Sequence, residues 1–532
     1  MAHRELNEIF CKNTFRGKAV TNKIYFLIMW MVIFGLMSVM LGQDINWDLQ
    51  NYHFYNAYAY LHHRMGFDIA PAMMQTYFNP YLDLFNYYFI TTQKPIITAF
   101  VLGTISGISA FFLYETALMV FNKHYLALCA VIIGMSGYAG IVQLGSTTNE
   151  TKTACLLMIS LYCMLKYKLN DHKFLPVLSG LFCGFAVGFK LTSAVYGIGL
   201  IAALFFSEPI STNNFKTILI VCIFMGLGFL ITNGYWMWFL YHHFQNPFFP
   251  FYNNIFHSSF AQWNNYEDKY FHPKSLTDYL LLPFYYMTQN TRSTEFIMRD
   301  FRFAICIIML LITLLFQFKA IIKRNPIKFI VLMFVVSYSV WLIKFSIYRY
   351  TIILEMLSGI IIIYCADQLL PFLLSSNVTR KITLGALVLV ILSTTLYKSW
   401  GRINYGQNYF DIMPYPIPIK DSQHSLLMLI DGYPLAYMLP FFPKEMRAVG
   451  VGNNFMHPNN THQLQIQENL LILGYKKQQY PIYTLSIFDK IHNKPNFYNL
   501  NNQILHYYGF QSVSNCSVIK SNITNVLLCK VS

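Results

Sequence analysis

Of the chain's 532 residues, 55% are hydrophobic, 17% aromatic and only 11% charged, which lies outside the range of soluble domains and marks an integral membrane protein. The formal charge of +15 comes with no nucleic-acid-binding motif, and its lysines and arginines fall between apolar runs, as cytoplasmic loops require. No Walker A loop, Rossmann glycine fingerprint or HExxH occurs, so nothing indicates ATP- or NAD-driven chemistry.

Residues 1–23 carry Arg4, Lys12, Arg16, Lys18 and Lys23 ahead of the apolar run 24–41. The LGQDINWD that follows offers no small-residue cleavage site, so this run reads as an uncleaved first span with its N-terminus in the cytoplasm. Further apolar runs lie at 95–121, 125–144, 153–166, 174–189, 191–206, 217–240, 302–318, 328–343, 350–370 and 382–397. Measured against the ~20 residues that cross a bilayer, they predict about eleven spans, of which 153–166 and 174–189 are short. Alternate loops are short and basic: 122–124 with Lys123, 166–173, 207–216 with Lys216, 319–327, and 371–381 with Arg380 and Lys381. The others, 42–94, 145–152, 241–301 and 344–349, are more aromatic and acidic and are expected outside. Cys11, Cys129, Cys155, Cys163, Cys183, Cys222, Cys306 and Cys365 lie in or beside apolar runs without metal-ligand spacing and read as buried hydrophobes.

Residues 1–397 thus form a membrane domain, and the odd span count puts 398–532 outside as a small α/β domain. SLLMLID (425–431), MRAVGVG (446–452), YPIYTLSIF (480–488), SVSNCSVIK (512–520) and NVLLCKV (525–531) read as strands, with helical patterns near 434–440, 462–474 and 498–509. Strands and helices alternate early and strands pair late. Cys516 and Cys529 fall on the last two strands, with Lys520-Ser521-Asn522 at the turn. They are either a disulfide, which needs an oxidising compartment, or two core thiols.

The stretch Asp44–Lys94 follows the first span directly, yet carries Asp44, Asp48, His53, His62, His63, Arg64, Asp68 and Asp83 among aromatics. Charge placed at a membrane face in this way reads as a site. Asp48, Tyr52 and Tyr55, four and three residues apart, share one face if helical, with Asp48 at the helix start where the dipole favours a carboxylate. A long acidic first outer loop, Trp47-Asp48-Leu49-Gln50-Asn51-Tyr52-His53 within it, about eleven spans and an outer C-terminal domain together resemble the GT-C glycosyltransferase superfamily over the whole chain. The resemblance implies transfer of a sugar from a polyprenyl-phosphate carrier on the outer face. Many members pair Asp with Glu at this motif; Leu49 departs from that, which leaves open whether Asp44 supplies the second carboxylate.

An acceptor hydroxyl attacking an anomeric carbon must lose its proton, and an aspartate suits that task. Asp48 is the first choice and Asp44 the second, against the alternative that both solvate the mouth of the first span. The donor's phosphate needs positive charge near the membrane surface, which Lys152, Lys190, Lys344 and Arg349 offer. Arg349, between Tyr348 and Tyr350 and followed by Glu355, is preferred because guanidinium grips phosphate through two bonds. Each lysine alone also fits an interfacial residue. Gly180, Gly184 and Gly188 read as a close helix-packing stripe.

Glu150, by resemblance a second acidic loop residue, would steady the acceptor, a metal or His53, while Thr148 or Asn149 would cap the next helix. Tyr52, His53, Gln75 and Asn79 are further sugar- or acceptor-binding candidates. Asn246–Asn254, Trp263, Glu267, Asp268 and His272 in a later outer loop suit sugar stacking or an aromatic belt. Asp44, Asp48, His53 and Glu150 are the residues from which a divalent metal would draw ligands, but no spacing specifies one and none is assigned. The sequence therefore reads as a bacterial inner-membrane glycosyltransferase, inverting in type, acting on a glycan or lipid at the periplasmic face. The rivals are a flippase of lipid-linked saccharides, for which Glu115, Glu355 and Asp367 inside spans are the residues to watch, and a noncatalytic envelope assembly protein.

Overall fold

The computed structural model describes residues 2–531 apart from 210, 324, 420, 431, 458 and 489–502, with side chains from residue 21 onward except those of 323 and 325. The side chains of Arg4, Cys11, Lys12, Arg16 and Lys18, and the expected helical residues 498–502, lie outside the described residues.

The helices run in order as α1 (Ala2–Leu41), α2 (Phe54–Leu61), α3 (Tyr81–Thr92), α4 (Pro95–Phe121), α5 (His124–Met135), α6 (Tyr138–Val142), α7 (Glu150–Asn170), α8 (Leu175–Phe189), α9 (Ala194–Ser207) and α10 (Thr212–Phe244). After these come α11 (Asn253–Phe256), α12 (Leu276–Tyr285), α13 (Arg302–Lys323), α14 (Asn325–Lys344), α15 (Ile352–Leu373), α16 (Asn377–Thr394) and α17 (Gln463–Lys477). Each expected span except 125–144 is largely helical. Among the described residues seven helices are long and apolar enough to cross a membrane: the 21–41 part of α1, α4, α10, most of α13, α14, α15 with the turn before it, and α16. The apolar helices α5, α8 and the 191–207 segment are shorter.

Small residues set the packing, as expected of helices in lipid. A Cβ on Gly184 of α8 would stand 2.1 Å from the Met225 carbonyl of α10, so the two backbones touch there. The run 125–144, expected as one span, instead breaks at Ser136-Gly137 between α5 and α6. The break has a charge at its centre. Glu355, within α15, accepts from the backbone N–H groups of Ala139 and Gly140, both at 2.9 Å, and Asp300 accepts from that of Tyr138 at 3.2 Å. Arg302 closes the cluster against Asp300 and, at 3.7 Å, Glu355. A side chain at Gly137 would overlap the Glu355 carboxylate. Glu355 is therefore mortar between helices, its charge matched in full burial. Glu115 pairs with Lys23, and Asp367 with Lys123 at 3.8 Å, so the three charges that would favour a transporter all have local partners.

Two short strands, β1 (Gln43–Asp44) and β2 (Arg402–Ile403), pair antiparallel, and β3 (Ile412–Met413), β4 (Leu426–Ile430), β5 (Arg447–Val451), β6 (Ile482–Ile487), β7 (Val513–Ser521) and β8 (Val526–Val531) form a second sheet in the order β3-β7-β8-β6-β4-β5. Parallel pairing of β4 with β5 and β6 is the product of early alternation, with α17 as one crossover; the antiparallel β6-β8-β7 edge is the product of late strand pairing. Cys516 and Cys529 are disulfide-bonded across β7 and β8. The turn there spans 522–525, two residues beyond the expected one. The pattern at 434–440 forms a 3₁₀ turn, Ala436–Phe441, rather than an α-helix, with Pro440 inside it.

The sheet does not stand apart from the membrane domain. Arg64 grips Asp68 through two 2.7 Å bonds and reaches the carbonyls of Lys444 and Met446 at 2.6 and 2.7 Å. Asp68 also accepts from Ala448 N–H and Tyr55 O–H, both at 2.8 Å, and Ile69 exchanges backbone hydrogen bonds with Ala448 and Gly450 beside β5. The first outer loop is thus an added edge of the C-terminal sheet. Arg64 and Asp68, counted above among the charges of a site, fasten the two domains.

Reporter fusions after residue 410 are expected to be active outside the cytoplasm and fusions within 319–328 inside it, since the basic loops fix the orientation. A cytoplasmic signal from the C-terminal fusion would reverse the side on which the site opens.

Candidate functional site

Between the 42–94 loop, the loop after α10 and the C-terminal ends of α8, α10 and α14 lies a cavity of about 1670 Å³, counting its open mouth. Its apolar wall holds Phe78, Trp236, Phe248, Phe249, Phe251 and Tyr252. Its polar wall holds Tyr52, His53, Gln75, Asp83, Asn149, Lys190 and Arg349, with Glu267, Asp268 and Lys344 also lining the space.

Four charges meet at the polar wall. Arg349 sits on the 3₁₀ turn Tyr348–Thr351, between α14 and α15, where it projects between Tyr350 and Trp400, 5.4 and 5.9 Å from their ring centres. Its Nη1 donates to Asp48 Oδ2 at 3.0 Å, and its Nε lies 3.8 Å from Glu150 Oε1. Lys190, at the C-terminal end of α8, donates to the same Glu150 oxygen at 2.6 Å and stands 5.3 Å from the Tyr350 ring centre. Burial alone would raise the Glu150 carboxyl, but Lys190 and then Arg349 outweigh it and hold it down at about 2. Burial, and next the Asp48 carboxylate, push the Tyr52 phenol well above its ordinary value, so it keeps its proton. Asp48 and Glu150 thus hold two cations at the edge of a cavity, and neither carboxylate is itself part of its wall.

Asp48 precedes a π-helical turn, Leu49–His53, that leads into α2. The wider turn splits the face expected from four- and three-residue spacing: Tyr52 stays with Asp48, while Tyr55 turns to Asp68. Asp44 occupies a different place. Its Oδ2 accepts from Asn46 Nδ2 at 2.7 Å and from Thr147 N–H and O–H, both at 2.8 Å, which ties the start of the first outer loop to the loop before α7.

His53 and Asp83 are each 1% exposed and lie 2.6 Å apart, Nδ1 to Oδ1; Asn149 Nδ2 donates to the same oxygen at 2.8 Å. Asp83 and Asn149 as a pair on the wall escaped sequence reading, because no spacing joins residue 83 to 149. Asn79 lines the cavity, but its amide nitrogen is spent on the carbonyl of Thr232 and the side chain of Asn233, at 2.9 and 3.0 Å, pinning the loop to α10. Lys152 is buried away from the cavity and donates to the Thr147 and Thr148 carbonyls at 3.3 and 2.8 Å; burial pulls its amine down to about 8. Neither Thr148 nor Asn149 caps α7 through its side chain. Among the described residues no group of three or more His, Cys, Asp or Glu converges as a metal site.

The helical membrane domain with its docked C-terminal α/β domain has the fold of a solved membrane protein, ArnT. The apo structure of ArnT from Cupriavidus metallidurans is similar over 96% of this chain and 98% of its own, with a TM-score of 0.51 and 11% identity; ArnT bound to undecaprenyl phosphate gives 0.49 at the same coverage and identity. No protein-family model and no curated protein sequence matches the chain.

Replacing Arg349 with Ala is expected to lower turnover on the order of 10- to 100-fold, the worth of a charge-assisted contact of about 1.5–3 kcal/mol. Arg349→Lys should fall between that and wild type, since it keeps the charge and loses the fork. Wild-type turnover in both variants, at matched expression, would remove Arg349 from the site.

Proposed function

We propose that the protein is a bacterial inner-membrane glycosyltransferase that moves a sugar from a polyprenyl-phosphate carrier, undecaprenyl phosphate in kind, to a glycan or lipid at the periplasmic face. The observation that carries this is the placement of Arg349 and Lys190 on the wall of an outer cavity, each held by a carboxylate, within a chain of ArnT's fold. The disulfide in the C-terminal domain supports an oxidising compartment on that side.

In this reading the donor's phosphate lies against Arg349 and Lys190. The acceptor's oxygen attacks the anomeric carbon from the face opposite the carrier, the bond from that carbon to the phosphate oxygen breaks, and its electron pair stays on the phosphate, where the two cations stabilise it. Configuration at the carbon inverts. The acceptor's proton passes to Asp48, whose Oδ2 Arg349 covers until the phosphate draws the guanidinium away. Asp44 serves as a positioning residue, holding the loop that carries Asp48. The long apolar and aromatic wall suits a polyprenyl chain at its membrane end and a sugar ring at its outer end.

Asp48→Asn keeps shape and hydrogen bonding but cannot take a proton, so transfer should fall on the order of 10²- to 10⁴-fold with insertion and folding intact. Asp44→Asn should cost less in transfer. The assay is glycan or lipid modification at matched expression. Full activity in Asp48→Asn beside a well-folded, inactive Asp44→Asn would move the base to Asp44, and activity in both would remove the chemical ground of the reading.

A further inference from the structure

The polar wall has a second half that the phosphate chemistry leaves unused. Three buried atoms there have no hydrogen-bond partner among the described residues: His53 Nε2, Asn149 Oδ1 and Gln75 Oε1. His53 and Asn149 are more than nine-tenths buried, so residues of the cavity wall carry buried polar atoms that the protein leaves unpaired, a cost that hydrogen bonds from a bound molecule would offset.

The two amide oxygens are acceptors, and so is Nε2 of a neutral imidazole that donates from Nδ1. The amide of Asn149 gives its N–H to Asp83, which leaves its oxygen free. Asp83 Oδ1 accepts that hydrogen, so toward the imidazole 2.6 Å away it is an acceptor as well, and the shared proton belongs to His53 Nδ1. In the neutral ring, that proton on Nδ1 leaves Nε2 with a bare lone pair. A wall of acceptors does not hold a phosphate, whose oxygens are themselves acceptors; it holds a molecule that brings O–H donors.

We infer that His53, Asn149 and Gln75 bind hydroxyl groups of a sugar, with Asp83 the positioning residue that fixes His53 in its acceptor tautomer. The inference rests on the glycosyltransferase reading and names the part of the same cavity in which a hydroxylated ring is recognised. The hydroxyls belong to the donor's sugar or to the acceptor glycan; both present the same chemistry to the wall.

The test uses the full-length protein. In membrane vesicles that supply their own lipid-linked sugar, His53→Leu should lower transfer about tenfold or more, as the loss of one such hydrogen bond implies. His53→Gln, which restores an acceptor oxygen, should recover part of it, and Asp83→Ala, which releases the tautomer, should fall between. Binding of undecaprenyl phosphate to the purified protein should be unchanged in all three, a result that a folding defect would not give. Titration with undecaprenyl phosphate bearing the sugar found in the vesicle product then separates the sources. Weaker binding of that lipid in His53→Leu assigns the hydroxyl to the donor, and unaltered binding with lost transfer assigns it to the acceptor. Wild-type transfer in His53→Leu, or a loss of undecaprenyl phosphate binding in step with transfer, overturns the inference. Failure of the wild-type protein to bind undecaprenyl phosphate would instead overturn the carrier reading on which it rests.

Discussion

Arg349 and Lys190 can stand at the edge of a low-dielectric cavity only because Asp48 and Glu150 stand behind them. An isolated charge there would cost several kcal/mol, and a paired one remains available to an anion that competes for it. The pairing reaches across the chain: Asp48 comes from the first outer loop, Glu150 from the start of α7, Lys190 from the end of α8 and Arg349 from the turn before α15. Four segments distant in sequence must therefore be held in register for the site to exist.

Much of the remaining structure supplies that register. Asp44 ties the first outer loop to the loop before α7 through Thr147, Asn79 pins it to α10, and the Arg64–Asp68 pair fastens it to the C-terminal sheet. The outer domain thereby becomes a brace for the loop rather than a separate module. On the membrane side, the Asp300–Arg302–Glu355 cluster fixes the broken α5–α6 segment against α15, the helix that follows Arg349. The rings of Tyr350 and Trp400 flank the guanidinium.

What the sequence made legible follows from what is local. Apolar runs carry their meaning within twenty residues, and each expected span except the broken 125–144 is largely one helix. Early alternation of strand and helix and late pairing of strands in 425–531 were legible in the same way, while the strand order β5-β4-β6-β8-β7 was not. Arg349, Lys190, Glu150 and Asp48 were each visible as charges at span ends, but their convergence was not, because no periodicity joins residue 48 to 349. Local geometry also misled where hydrogen bonding changed register: the π turn at Leu49–His53 parted Tyr55 from Asp48. Lys152 looked like a phosphate ligand and instead satisfies two carbonyls, a distinction that depends on the path of a loop and not on residue type. Asp83 became part of a wall through His53 and through Asn149, sixty-six residues away.

The account turns on where an anion goes. A structure of the full-length protein with undecaprenyl phosphate, determined by electron cryomicroscopy in a lipid nanodisc, would show it directly. The phosphate should lie within hydrogen-bond reach of Arg349 and Lys190, with the guanidinium drawn off Asp48 and the prenyl chain leaving along the aromatic wall. A phosphate bound elsewhere, with Arg349 still closed on Asp48, would contradict the account.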